Sequence, residues 1–339
     1  MASLNRSYKI LTLAADLGIK PSADAVRDIL AYCEKRVRRF LRDFPDCHTL
    51  AELLDIVASK LGTKFEMIRS DEELLEVRDR YSRLGERSFA TLPDDLGEDV
   101  FGITLRRIAK RPWELPFVSV IDYRGDKCFR SYYTKWHELG HLLILTDQMR
   151  LSFRRTHAVH DCKDPEEMMV DVIAGTFGYF KDIVRPMAKG EISWGNIEAV
   201  RSALCPESSQ QAAVIGIVKS WPVPAILLQA TLALKRGEKR QLDQGTFDFA
   251  DGPVPVLRAV QVTPNDAARR SDLVIFPNMR IPERSIIHRV FAEELHEAQA
   301  EEDLKWWASS DGTRLPSLKI HVLARRQWNA VQAVITPKT

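Results

Sequence analysis

The chain has 339 residues, and its 49 lysines and arginines almost balance 47 aspartates and glutamates, for a formal net charge of +2. Hydrophobic residues make up 45% of the chain and charged residues 28%. This composition is typical of a globular protein and excludes wholesale disorder, collagen and coiled-coil fibre. A nearly neutral chain also lacks the overall basic field of a dedicated nucleic-acid-binding protein. At about 150 residues per domain, the length predicts about two domains.

The cysteines and the apolar runs bear on the compartment. The five cysteines are widely spaced and include no Cys-x-x-Cys pair, which does not predict a disulfide framework and favours a reducing environment. The apolar run at 8–15 is short and is interrupted by Lys9, unlike a secretory signal. No apolar run approaches the roughly 20 residues of a transmembrane helix. We therefore expect a cytoplasmic protein that does not bind membranes.

The first half of the chain contains helical and extended patterns in alternation. The sequence predicts four helices, over 22–43, 49–61, 130–147 and 165–182. Gly62 ends the second of these helices, and Asp164 and Pro165 begin the last one. Apolar and β-branched residues predict strands at 64–68, 101–107 and 117–123.

The second half begins with a helical pattern over 193–234, and a polar, glycine-containing stretch then marks a domain boundary at 237–252. Extended segments follow at 254–262, 272–276, 318–324 and 331–335, the last two as a pair of strands. A helix is predicted over 285–307, with the acidic stretch 293–303 as its solvated face. From these helices and strands we expect an α+β fold.

The most informative motif is an HExxH sequence at 137–141, inside a predicted helix. Residues four apart lie on one face of a helix, so His137 and His141 can direct ring nitrogens at one metal ion. Glu138 is offset by about 100° around the helix. It therefore lies beside the metal, where it can take a proton from water. The motif predicts a metal centre with a general base.

A zinc ion needs a third protein ligand and an open fourth position. Our choice is Glu167, because the helix that it begins can fold back antiparallel on the HExxH helix. Asp171, Ala174 and Gly178 follow on the same side of that helix, with Gly175 adjacent, and the small residues would let the helices approach closely. Alternative third ligands are Glu166, His157, His160 and Asp161. Two histidines and one glutamate suit Zn²⁺, although Mn²⁺ and Fe²⁺ accept the same ligands.

Two further side chains fall near the predicted metal face. Asp171 is either a solvated charge or the acceptor for an N–H group of a ligand histidine. Tyr133, four residues before His137, is either an ordinary packed tyrosine or a donor that stabilises the oxyanion of the transition state.

On these residues the chain resembles the ImmA/IrrE family of zinc metallopeptidases. The HExxH motif at 137–141 matches, and Glu167, Asp171 and Ala174 match a family segment that supplies the third ligand. The resemblance is specific over about 117–186 and diffuse elsewhere. It implies a zinc-dependent endopeptidase in which His137, His141 and Glu167 hold the metal and Glu138 is the catalytic base.

The resemblance also implies a domain plan. A zincin-like peptidase domain, with a small sheet and an active-site helix, would occupy 1–190. A helical segment similar to a helix-turn-helix would follow at 191–240, and an α+β domain similar to GAF sensors at 241–339. Members of the family typically cleave a helix-turn-helix transcriptional repressor and so release stress-response or mobile-element genes. We expect a similar protein substrate here, in a stress-response or phage-related switch.

Direct DNA binding by this chain is not expected, because the two candidate segments, at 49–62 and 197–218, lack a clear basic recognition helix. The alternative function is a metal-dependent regulator that binds DNA or a protein partner and hydrolyses nothing. The presence of Glu138 argues against it, since a purely structural metal site has no need of a base.

Overall fold

The computed structural model describes residues 4–20, 22–146, 152–156, 164–235, 237–238, 240, 253–309 and 312–338. The chain divides into two compact units. One unit comprises 1–183 and 201–213, and the other comprises 184–200 and 214–339. The three-domain division predicted at 190 and 240 stays a prediction.

The first unit is built from helices and a small mixed sheet. Its helices are α1 (Tyr8–Asp16), α2 (Ala25–Leu41), α3 (Leu50–Leu61), α4 (Asp71–Arg83), α5 (Leu92–Asp95), α6 (Ser131–Leu143) and α7 (Pro165–Phe177). Its strands are β1 (Thr63–Ile68), β2 (Val100–Arg106), β3 (Phe117–Asp122) and β4 (Ser152–Thr156). The divisions between the units fall within α8 (Lys181–Met187), α9 (Trp194–Leu204) and α10 (Gln210–Ser220).

The sheet of the first unit has the strand order β1-β3-β2-β4. β1 and β3 run parallel, whereas β2 is antiparallel to both β3 and β4. Side chains alternate between the faces of a sheet. Ile103 and Val118 accordingly pack into an apolar core with side chains of α4 and α5. The next residue on each strand, Thr104 on β2 and Ser119 on β3, belongs to the opposite face of the sheet. A hydrogen bond joins Thr104 to a side chain of α6.

The second unit contains a five-stranded antiparallel sheet and a short helix. Its strands are β5 (Ile226–Ala233), β6 (Val256–Pro264), β7 (Glu297–Asp303), β8 (Lys319–Gln327) and β9 (Ala330–Pro337), and its helix is α11 (Ile286–Ala292). The strand order is β6-β5-β9-β8-β7. Apolar side chains of α11 and of these strands share one buried core. The coarse prediction of an α+β fold is therefore confirmed.

The strands predicted in the first half are confirmed, as are the helices, although α6 and α7 end at Leu143 and Phe177, earlier than expected. Helices α1 and α4 had not been predicted. In the second half, the predicted pairing of 318–324 with 331–335 is confirmed by β8 and β9. The extended segment predicted at 272–276 forms no strand within the described part of the chain.

Two helix predictions in the second half are wrong in part. The segment 226–233, within the predicted helical stretch 193–234, is strand β5, an apolar segment that lies between β6 and β9 and is stabilised by pairing on both sides. Of the helix predicted over 285–307, 286–292 is α-helical and 304–306 forms one 3-10 turn. Its acidic end forms β7, where exposed Glu297 and Glu301 alternate with Ala298 and Ala300, which pack on the core. A period of two is that of a strand, and charges are frequent on the edge strand of a sheet.

No helix among the described residues is long and apolar enough to cross a membrane.

Gly62 ends α3 in the left-handed conformation, with φ of 75°, and a Cβ added there would lie 2.9 Å from Pro116 side-chain atoms. We expect Gly62→Ala to destabilise the first unit by about 2–4 kcal/mol, because the left-handed penalty and the clash with Pro116 add. Scanning calorimetry measures the loss.

Gly18→Ala is the matched control, because Gly18 has φ of 73° but a Cβ there would meet no described atom within 4 Å. It should lose only the backbone penalty, about 1–2 kcal/mol. Equal losses in the two variants would contradict the close contact at Pro116.

Candidate metal centre

Helix α6 carries the HExxH motif through the interior of the first unit. His137, Glu138 and His141 are 2%, 0% and 1% exposed. The two imidazole rings lie one helical turn apart on the same face, with their centroids 5.0 Å from each other. Trp136 and Leu139 are also fully buried, so nearly the whole circumference of α6 is covered. The polar groups of the motif must therefore find their partners inside the protein.

Helix α7 packs closely against α6, and a glycine inside the motif allows it. A Cβ added to Gly140 would lie 2.9 Å from Cγ1 of Val170, closer than carbon atoms pack. The small residues predicted for α7 contribute unequally. Ala174 is fully buried, whereas a Cβ at Gly175 would meet no described atom within 4 Å. Gly178 contacts Trp136, since a Cβ there would lie 3.3 Å from its ring.

The close packing brings Glu167 to the two histidines. Its Oε2 lies 3.1 Å from Nε2 of His137, and its Oε1 lies 3.4 Å from Nε2 of His141. One ligand atom from each residue lies within 4.8 Å of the others, so this group can hold a metal ion. The alternative ligands His157, His160 and Asp161 lie outside the described residues. The other alternative, Glu166, is not part of the group.

The distances between the possible ligand atoms match the dimensions of a metal site. Ligand atoms each about 2.1 Å from a tetrahedral ion lie about 3.4 Å from one another. The observed separations of 3.1 and 3.4 Å between the glutamate oxygens and the histidine nitrogens are close to this value. Two imidazoles and one carboxylate are also a donor set that first-row divalent ions accept. The residues therefore fit a divalent metal.

The pKa values of the two glutamates of the site, fully buried Glu138 and half-buried Glu167, are shifted in opposite directions. Burial acts to raise the pKa of Glu167, but hydrogen bonds and charge from His137 and His141 outweigh it and hold that pKa far below its usual range. Burial raises the pKa of Glu138 above its ordinary value, and the two histidines oppose this shift without cancelling it. Glu167 is thus suited to remain ionised as a ligand, and Glu138 to accept a proton.

Asp171 and Tyr133 form a small hydrogen-bonded group behind His137. Oδ1 of Asp171 lies 3.2 Å from Nδ1 of His137, which leaves Nε2 of the same ring for Glu167. The Tyr133 hydroxyl donates to the carbonyl oxygen of Asp171 at 2.8 Å and lies 3.3 Å from its Oδ1. The structure thus places Tyr133 against Asp171, and its role in stabilising an oxyanion stays a prediction.

The carboxylate of Glu138 is held on one side only. Its Oε2 accepts a hydrogen bond of 2.7 Å from the hydroxyl of Thr104. Its Oε1 is buried and has no hydrogen-bond partner among the described residues. Sequence reasoning missed Thr104 and also Gly140. The available signal for Thr104 was a polar residue between Ile103 and Leu105, in the middle of a predicted buried strand.

No model of a known protein family matches this chain, and no curated protein matches it either.

We expect His137→Ala, His141→Ala and Glu167→Gln each to lose stoichiometric metal, because two of the three donors cannot complete the site. Metal content after dialysis, measured by atomic emission, checks this. Glu166→Gln is the matched control, with the same chemical change one residue away, and it should retain the metal. Loss of metal in Glu166→Gln together with retention in Glu167→Gln would show that Glu166, and not Glu167, is the third ligand.

Asp171→Asn is expected to weaken metal binding by about 10- to 100-fold, since it removes the carboxylate that orients His137. Competition with a chromophoric chelator measures the dissociation constant. Wild-type affinity in this variant would show that the contact between Asp171 and His137 does not support metal binding.

Proposed function

We propose that this chain is a zinc-dependent endopeptidase of the ImmA/IrrE type that cleaves a regulatory protein. The observation that carries the proposal is the coincidence of two features on α6 and α7. A group of His137, His141 and Glu167 can hold a metal ion. A fully buried carboxylate, Glu138, lies beside this group and contributes no atom to it. A metal site with a purely structural role has no need of the second feature.

A zinc ion held by this group would supply Lewis acidity for peptide hydrolysis. Glu138 has one oxygen held by Thr104 and one without a hydrogen-bond partner among the described residues. Glu138 can therefore take a proton from water as the water oxygen attacks the scissile carbonyl carbon. It can then pass that proton to the leaving amine.

The finer assignments of fold belong to the same proposal. A small mixed sheet beside the helix that carries HExxH supports a zincin-like peptidase domain. Two consecutive helices, α9 and α10, support a helical segment similar to a helix-turn-helix. A five-stranded antiparallel sheet with α11 supports a C-terminal domain similar to GAF sensors, with a role in recognition or sensing.

The proposed substrate is a helix-turn-helix transcriptional repressor in a stress-response or phage-related switch. This substrate class comes from the family resemblance, and the chain's own residues do not identify it. A small helix-turn-helix protein encoded in a neighbouring reading frame is the first substrate to test. With such a protein, zinc and the purified chain, cleavage is read as fragments by mass spectrometry.

We expect Glu138→Gln to keep its metal and to lose cleavage, with a fall in rate of about 10²- to 10⁴-fold for the loss of a general base. Glu166→Gln, which keeps the carboxylate of Glu138, serves as the control and should cleave normally. A Glu138→Gln protein that cleaves at the wild-type rate would remove Glu138 as the base. A metal-loaded wild type that binds the repressor without cutting it would favour the non-hydrolytic regulator instead.

A further inference from the structure

A line of three buried hydroxyl groups ends on the carboxylate of Glu138. They belong to Thr63 on β1, Ser119 on β3 and Thr104 on β2, and the three residues are at most 2% exposed. The Thr63 and Ser119 hydroxyls lie 2.9 Å apart, and those of Ser119 and Thr104 lie 2.8 Å apart. The Thr104 hydroxyl then lies 2.7 Å from Oε2 of Glu138. The line crosses three neighbouring strands and reaches one oxygen of one carboxylate.

The chemistry of the groups sets the direction of the line. An ionised carboxylate only accepts hydrogen bonds, and a hydroxyl has a single hydrogen to donate. Thr104 therefore donates to Glu138 and accepts from Ser119, which in turn accepts from Thr63. A competing acceptor for Thr63, the carbonyl oxygen of Lys64, lies farther away, at 3.5 Å. All three hydrogens then point toward Glu138, and the hydroxyls of Thr104 and Ser119 each accept from the one behind them.

The other oxygen of Glu138 has a different environment. Oε1 has no hydrogen-bond partner within the described ranges of the chain. Gly102 of β2 lies beside it, because a Cβ added to Gly102 would be 3.2 Å from Oε1 and 2.7 Å from Cγ2 of Thr134. The absence of a side chain at Gly102 therefore lets Thr134 and the Glu138 carboxylate approach the backbone of β2 closely. Strand β2 thus donates a hydrogen bond to one oxygen through Thr104 and has no side chain next to the other, at Gly102.

We infer that Thr104 is a positioning residue for Glu138, and that Ser119 and Thr63 fix the direction of its hydroxyl. The inference rests on the proposed function, in which Glu138 exchanges a proton with water. With Oε2 anchored, the carboxylate cannot rotate freely, and Oε1 keeps the orientation in which it accepts and returns that proton. Such an arrangement is made before substrate binds and costs no reorganisation during the reaction.

A purely structural role for the three hydroxyls leads to a different expectation. Buried polar groups need partners, and the three would then only satisfy one another inside the sheet. Removing any one of them would cost similar stability and would leave the chemistry unchanged. Positioning instead predicts a graded effect on turnover that falls with distance from Glu138.

The test uses the full chain with zinc and, as substrate, the repressor that the wild type cleaves. The variants are Thr104→Val, Ser119→Ala and Thr63→Val. We expect kcat to fall about 10- to 100-fold in Thr104→Val, the range for losing a hydrogen bond to a charged group. The loss should be smaller in Ser119→Ala and smallest in Thr63→Val, with KM and metal affinity close to wild type in all three. Thr104→Ser keeps the hydroxyl and should restore most of the turnover. Wild-type kcat in a folded Thr104→Val protein overturns the inference, as do equal losses in all three variants.

A second readout does not depend on cleavage. In the metal-free chain, infrared difference spectra against Glu138→Gln identify the carboxylate band of Glu138. This band should shift in Thr104→Val and stay in place in Thr104→Ser, and an unshifted band in Thr104→Val overturns the inference. If the wild type cleaves no peptide, the proposed function fails, while the infrared band still decides whether Thr104 holds Glu138. If Thr104→Val does not fold, Ser119→Ala must show the smaller loss of kcat and a weaker shift, and wild-type behaviour in both measurements overturns the inference.

Discussion

The packing of α7 against α6 at Gly140 is the contact on which the site depends. Val170 lies so close to Gly140 that a Cβ there would be 2.9 Å from its Cγ1. A larger residue at 140 would force the helices apart, because interiors are packed too tightly to absorb an added group. Glu167 reaches His137 and His141 from α7 only at this separation. A steric property of one glycine thus decides whether the three donors converge.

Bringing these ionisable groups together inside the protein is electrostatically unfavourable, and contacts within the site offset this. Ionisable groups buried without partners are strongly unfavourable. Here Glu167 lies against two histidines, Asp171 lies against His137, and Glu138 accepts from Thr104. The outcome for the two glutamates differs because of their neighbours. The pKa of Glu167 is held low and that of Glu138 is raised, and such a separation is what distinguishes a ligand from a base.

The sheet of the first unit does more than support α6. One of its faces packs apolar side chains with α4 and α5, as hydrophobic burial requires. The other presents hydroxyls and a glycine where the motif helix lies. A buried strand segment such as Phe-Val-Ser-Val-Ile therefore serves two purposes, with Val118 and Val120 in the apolar core and Ser119 in the hydrogen-bonded line to Glu138. Strand alternation allows both within one sheet.

Local sequence determined much of the first unit and the central part of the site. The helical spacing of apolar residues, the helix end at Gly62 and the HExxH motif each involve residues within one or two helical turns. They could therefore be identified from the sequence alone. The group of His137, His141 and Glu167 was also predicted from the sequence, from the four-residue spacing of the histidines and an antiparallel second helix. The strand at 226–233 was predicted as helix, because its pairing with β6 and β9, which are distant in sequence, decides its conformation. The acidic edge strand β7 does have a local period of two, but the prediction took its charged residues for the solvated face of a helix.

Tertiary structure alone decided the contacts that join separate elements. The sequence placed the close approach of the helices at the small residues of α7, whereas Gly140 of α6 makes it. The hydroxyls of Thr63, Ser119 and Thr104 belong to strands whose order, β1-β3-β2, does not follow the chain. Which side chains meet across such a sheet depends on strand order and register, and neither is encoded in the spacing of residues along one element.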